Sequence, residues 1–265
     1  MPGDSIVVFG AGGPTGQETV KALAADPVHK GATVVAAVRS PAKYEATFAS
    51  IGGGGNGNKG ATVVPVAADV TDPASVAAAL KHGGATCKGV VFAASGNTYW
   101  SAAPVDRDGV RNVADAAAAL PTKPRVVLVS SMLTHPANRW HPIRVLLNNI
   151  RWALMDNKYA GEELLRNHAA LGGNWCVIRP GGLVNAPAGS RGVVKSDKDV
   201  TKEVGTGSLP RADVAAACVR ALTDDRAKGH TFSIYAARVK KGDAPPAAVD
   251  PSTPAYGDMI EALFD

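Results

Sequence analysis

Cysteine is scarce: Cys87, Cys176 and Cys218 stand far apart in 265 residues. With no CxxC pair and no Cys/His cluster, they build neither a disulfide framework nor a zinc site. Cys176 and Cys218 fall in apolar stretches, which fits buried thiols kept reduced. Nowhere do apolar residues run on for the ~18 positions that a bilayer-crossing helix needs. The nearest stretch, IRVLLNNIRWALM (143–155), is interrupted by Arg144, Asn148, Asn149 and Arg151. The net charge is only +5. That mild excess suits anionic small molecules and argues against a nucleic-acid partner. A first strand that begins by Ser5 leaves no room ahead of it for a signal or transit peptide. The expectation is a soluble protein of the cytoplasm or of an organelle stroma such as a plastid's. The latter would require removal of a targeting segment that this sequence does not carry.

Alternation dominates what remains. Apolar, β-branched runs read as strands at 5–10, 32–39, 61–69, 88–95, 124–131, 174–182 and 230–236. Between them lie helical patterns at 14–26, 40–50, 72–80, 106–120 and 211–222, and a long helical region over 143–170. Pro14 suits a first helical turn, and Thr71 or Asp72 suits a cap. GGGGNGNKG (52–60) reads as a flexible linker. Strands that are apolar throughout fit burial on both faces. Strand–helix alternation at this spacing predicts a Rossmann-type, doubly wound parallel sheet with right-handed crossovers, in a single domain over 1–239. The Pro-rich tail, 240–265, reads as loose over 240–257 and ends in a short amphipathic turn, MIEALF. Substrate loops are expected at about 134–145 and 184–210.

The stretch VVFGAGGPTGQETV (7–20) joins the first strand to the first helix. Gly10 allows a tight turn, Gly13 lets backbone amides approach a ligand without a Cβ in the way, and Gly16 lets helix and strand pack closely. Pro14 and Thr15 complete the turn, and the helix start adds free N–H donors and partial positive charge. Glycine-rich turns are common, but this one follows a strand, opens a helix and lies at the N-terminus, the setting of a dinucleotide cradle. The second strand ends in Arg39, where an acidic residue would bind the ribose 2′-OH of NAD. A guanidinium offers a planar donor fork to a 2′-phosphate instead, and Lys43 adds a second cation, so NADP(H) is the expected cofactor. Ala93, Ala94 and Ser95 end the fourth strand and are small enough for close approach to the cofactor, or to serve a tight turn.

With FGAGGPTG, AVRSPAK, AADVTD, VVFAASG, VVLVSS, KYAGEELLR, VIRPGGL and RADVAAACVRAL, the chain resembles the short-chain dehydrogenase/reductase superfamily over most of 5–236. It is most similar to the atypical, NmrA-like branch, whose opening often reads GATGxTG. The resemblance implies that Asp69 and Val70 bracket the adenine, a turn or cap being the other reading of Asp69. It also implies that Pro180 and Gly181, in IRPGG, bend the chain over the nicotinamide.

The resemblance further implies a Tyr-x-x-x-Lys pair on one helix. The matching lysine is Lys158, but Leu154 stands at the tyrosine position. Tyr159 is turned about 100° around the helix from Lys158 and reads as packing. Lys158 is assigned to the nicotinamide ribose, with Ser131 and Tyr99 as the other catalytic candidates. Ser130, Thr134 and His135 lie in the same loop region; Ser130 reads as a local backbone partner and His135 as a loop residue. Arg179, Glu162, Asp213 and Asp106 read as structural ion pairs or caps.

Ile143, Leu146, Leu147, Ile150 and Leu154 form an apolar stripe at helical spacing, flanked by Arg144 and Arg151. Core packing is the favoured reading, with a membrane-surface or protein-partner role for the 143–155 helix as the alternative. Two functions stand open: an NADP(H)-dependent reductase of a small carbonyl, quinone or similar electron-poor acceptor, and a non-catalytic NADP(H)-binding redox sensor or scaffold. The substrate itself is not legible. No metal site is expected.

Overall fold

Side chains alternate between the two faces of a strand, and here both faces are apolar. In β1 (Asp4–Phe9), Ile6 and Val8 enter one core layer while Val7 and Phe9 enter the other. A strand of this kind must be covered on both sides, and helices cover both faces of the central strands. This computed structural model describes residues 3–52, 60–196, 207–236 and 248–265. Most of the 52–60 linker, the centre of the 184–210 loop and the first part of the tail lie outside the described residues.

After β1 come α1 (Pro14–Ala25), β2 (Thr33–Val38), α2 (Glu45–Gly52), β3 (Thr62–Ala67), α3 (Pro73–Leu80) and β4 (Thr86–Phe92). The second half runs through α4 (Gly109–Ala118), β5 (Arg125–Val129), α5 (Pro142–Ile150), α6 (Leu154–Arg166) and β6 (Trp175–Pro180). It closes with β7 (Leu183–Val184), β8 (Val193–Ser196), β9 (Leu209–Pro210), α7 (Arg211–Thr223), β10 (His230–Ala236) and α8 (Pro254–Glu261). The main sheet has the order β3-β2-β1-β4-β5-β6-β10-β8, parallel except where β8 runs against β10. The strand order reverses between β1 and β4, and their carboxyl ends frame the crevice where open α/β sheets bind ligands.

One layer packs α1, α2, α7 and the C-terminal residues against Val8, Val34, Val127 and Ile178. The other packs α3, α4 and α6 against Phe9, Val35, Phe92 and Val177. Each fully buried Val, Leu or Phe contributes about 1.5–3 kcal/mol. Residue Pro14 opens α1, whose Gly16, Thr19, Val20, Leu23 and Ala24 form the buried face. Asp72 caps α3 by accepting from the Ala74 amide at 2.9 Å.

Four features differ from the sequence expectation. The 143–170 helix breaks between α5 and α6, where Ala153 takes a left-handed φ of 51°. The break turns Leu154 inward and leaves Ile143, Leu146 and Ile150 facing out, so the stripe does not pack in the core as one face. The 184–210 region supplies β7, β8 and β9 rather than loop alone. The stretch read as loose, 240–257, becomes helical from Pro254, where α8 begins, while the MIEALF turn packs as an amphipathic segment should: Ile260, Leu263 and Phe264 are buried, and the Phe264 ring meets Phe232 edge-on at 5.4 Å. The fourth is a π-helical turn over Ala103–Asp108, which leads into α4 and brings Asp106 inside.

Candidate functional site

The turn after β1 is shaped by what a Cβ would strike. Gly10 has φ +78°, and a Cβ there would lie 2.5 Å from the Ala94 nitrogen, so the turn presses on the end of β4. At Gly16 a Cβ would overlap the Gly10 carbonyl. Gly13 differs. Its φ is −78°, and the nearest atom to a Cβ is the Gly10 oxygen, at an ordinary 3.4 Å. It is the N-cap of α1 and caps with no side chain, so the first-turn amides of Thr15 and Gly16 are left without a capping oxygen. These donors, at the positive end of a helix, fit a diphosphate.

Strand pairing places Phe9 beside Ala37, which carries Arg39 to the level of this turn. Arg39 is exposed and has no hydrogen-bond or ion-pair partner among the described residues. Lys43 lies over the Tyr44 ring, 5.5 Å from its centre. Tyr44 in turn covers Gly12, where a Cβ would fall 2.5 Å from the ring. Tyr44 therefore ties the glycine turn to the basic corner. The sequence reading missed it, although it directly follows Lys43.

At the end of β3, Asp69 Oδ1 accepts from the Thr71 amide at 2.9 Å and the Thr71 hydroxyl at 2.8 Å. The carboxylate thus shapes a turn. Val70 is buried against Gly109 in the core. Ala93 and Ala94 are half-buried and Ser95 is exposed, all just beyond the end of β4.

Asp106 does more than serve its helix. Its Oδ2 accepts from the buried Gly96 amide at 2.8 Å, and its Oδ1 lies 2.8 Å from Lys158 Nζ. The pair joins the β4 loop to α6 and holds the ammonium near the crevice. Leu154, one turn earlier on α6, is buried with Ala102, Met132, Leu133 and Met155. No proton donor stands at that position.

Beyond β5, Ser130 donates to Glu162, which is wholly buried. Glu162 also accepts from Thr134 at 2.8 Å and from Arg179 at 2.5 Å. Ser130 and Arg179 therefore belong to a buried ionic network. Ser131 is half-buried, and its hydroxyl has no partner among the described residues. Tyr99 is 41% exposed and joins Trp100 and Trp152 in a ring cluster with centroids 4.7–6.2 Å apart. His135 meets Tyr159 edge-on at 5.6 Å.

After β6, the Gly181 amide donates to the Ile234 carbonyl at 2.8 Å and is not free for a ligand. A Cβ on Gly181 would lie 2.7 Å from the Gly207 oxygen, so packing explains this glycine. Pro180 is buried and accepts from the Met132 amide at 3.1 Å. Asp213 accepts from the Gly189 amide and the Tyr256 hydroxyl, both at 2.8 Å, while its buried Oδ2 has no partner among the described residues. Burial pushes its carboxyl above the usual range. All three cysteines are buried, and burial pushes Cys87 and Cys176 up to about 12, leaving no nucleophilic thiol near neutrality.

The carboxyl end of the sheet thus carries the uncapped start of α1, the cations Arg39 and Lys43 just beyond β2, and a Lys158 that is paired with Asp106. Among relatives, the chain is 33% identical over 128 residues to an uncharacterized chloroplastic protein of Arabidopsis thaliana, an overlap of 47% of this chain and 35% of that one. It is 30% identical over 138 residues to sanguinarine reductase of Eschscholzia californica, covering 49% and 44%. The matched part spans less than half of either relative. The fold is that of the oxidoreductase ylbE from Lactococcus lactis, with a TM-score of 0.68, 18% identity, and 98% and 96% of the two chains covered. Residues 10–225 match the NAD(P)H-binding family. The chain belongs to that family.

Proposed function

We propose that the protein is an NADP(H)-dependent reductase of a small carbonyl, quinone or similar electron-poor acceptor. One observation carries the choice of cofactor: Arg39 is unpaired at the level of the uncapped α1 start. An arginine there matches a 2′-phosphate in charge and shape, whereas a 2′-hydroxyl would call for a carboxylate. Gly10, Gly13, Pro14, Thr15 and Gly16 hold the diphosphate, Arg39 and Lys43 the 2′-phosphate. Asp69 and the Ala93–Ser95 segment line the adenosine side, and Lys158 reaches the nicotinamide ribose.

A bound nicotinamide supplies hydride. The chain's part is to place the acceptor and deliver one proton. With Leu154 at the helix position of the usual acid, the free Ser131 hydroxyl or solvent is left for that task. This favours acceptors whose reduction leans little on a protein acid, quinones above all. The reductase relative supports the reaction class. The Arabidopsis relative, which is described as chloroplastic, supports a plastid as the compartment.

A second reading, a non-catalytic NADP(H) sensor or scaffold, draws on Leu154 and on the outward apolar face of 143–150, to which a protein partner could bind. Steady-state NADPH oxidation with quinones, aldehydes and ketones separates the two. Turnover above the enzyme-free blank with one of these classes supports the reductase. Tight NADPH binding with no oxidation across the panel would replace it with the sensor.

A further inference from the structure

We infer that α5 and its flanking loops dock this protein on an anionic lipid surface. The helix is inside out. Arg144 is buried and Asn148 half-buried: Arg144 donates to the carbonyls of Leu133, Thr134 and His135 and pairs with Asp156, and Asn148 donates to Asp156 at 3.0 Å. The outward face carries Ile143, Leu146 and Ile150, at 48%, 57% and 58% exposure. A helix facing water shows the reverse arrangement.

The surroundings extend the same surface. Trp140 is 80% exposed, and Trp100 and Trp152 are 70% and 54%. The Trp152 amide donates to the Tyr99 carbonyl at 2.9 Å, and Arg151 donates to the Gly96 carbonyl at 2.9 Å, binding the aromatic loop to the end of α5. Among the described residues, Val28 is the one large exposed hydrophobic that lies elsewhere in the sequence. Apolar side chains gathered in this way mark an interaction site.

Charge and residue type select the occupant. No Asp or Glu occurs over 116–155. Arg139 is exposed over the Trp140 ring, 5.8 Å from its centre, with no carboxylate partner among the described residues. The adjacent carboxylate, Asp156, is engaged by Arg144 and Asn148. Branched aliphatics on an exposed helix face, tryptophans at its ends and an arginine without a carboxylate partner beside them match the acyl boundary and headgroups of an anionic monolayer.

The test uses the full chain with vesicles of phosphatidylcholine alone, or with about one third phosphatidylglycerol. The expected result is flotation with the anionic vesicles, weakened by salt, and a blue shift of tryptophan emission on binding. Replacing Ile143, Leu146 and Ile150 together by Ser should lower partitioning at least about tenfold, with melting and NADPH affinity unchanged. Brominated lipids should quench the wild-type tryptophans, which keeps the test independent of the variant's folding. No flotation, equal binding to both vesicles or an unaffected triple variant would overturn the proposal. So would a solution dimer that the triple variant splits, since a second copy would then own this face. NADPH titration is read separately, so failure here leaves the cofactor assignment standing.

Discussion

Lys158 and Asp106 meet at 2.8 Å across the gap between α6 and the π-helical turn, with the carboxylate side chain 1% and the ammonium side chain 12% exposed. The pair sits where the β4 loop, through the Gly96 amide, joins the crevice. Removing one partner of such a pair strands the other. Lys158→Met and Asp106→Asn should each cost about 2–4 kcal/mol in urea unfolding. The double variant should recover part of that stability, and NADPH affinity should stay down about tenfold in both variants that lack Lys158. Recovery of affinity along with stability would make Lys158 purely structural.

The three glycines of the turn should separate fold from binding. Gly10→Ala and Gly16→Ala force a methyl into backbone and should cost about 2–4 kcal/mol. Gly13→Ala meets only an ordinary contact and should cost under about 1 kcal/mol, the difference between glycine and alanine at a cap. Its methyl should nevertheless weaken NADPH binding by about tenfold or more. Thermal melts and cofactor titrations on the three variants check this.

Asp213 predicts a pH dependence. Burial raises its carboxyl, so the folded state holds the proton more tightly than the unfolded chain does. Its contribution is therefore full below the ordinary carboxylate range, about pH 4, and is lost as pH rises through the raised value. Asp213→Asn keeps an oxygen for Gly189 and Tyr256 and should flatten that loss. Urea midpoints followed from about pH 4 to pH 7 for both proteins measure it. An unchanged slope in the variant would contradict the assignment.

The sheet and the turn were legible because their signals are local. Short runs that are apolar throughout mark strands, and Gly10 and Gly16 mark a turn where backbone comes close. The ion pair of Arg179 and Glu162 is legible as well, since a buried guanidinium needs a carboxylate. Roles set by distant contacts were not legible. Asp106 reaches Lys158 only because a π-helical turn rotates it inward. The Gly181 amide is taken by Ile234, a strand formed over fifty residues later. The apolar stripe of 143–154 looked like core because its spacing is helical, and spacing cannot show that Ala153 breaks the helix.

The most direct test is titration of NADP, NADPH, NAD and NADH against the wild type and Arg39→Ala. The wild type should prefer the phosphate-bearing forms, and the variant should lose them by about 10–100-fold while keeping NAD and NADH. Equal weakening of all four, or a wild type that binds NAD as tightly as NADP, would contradict the account.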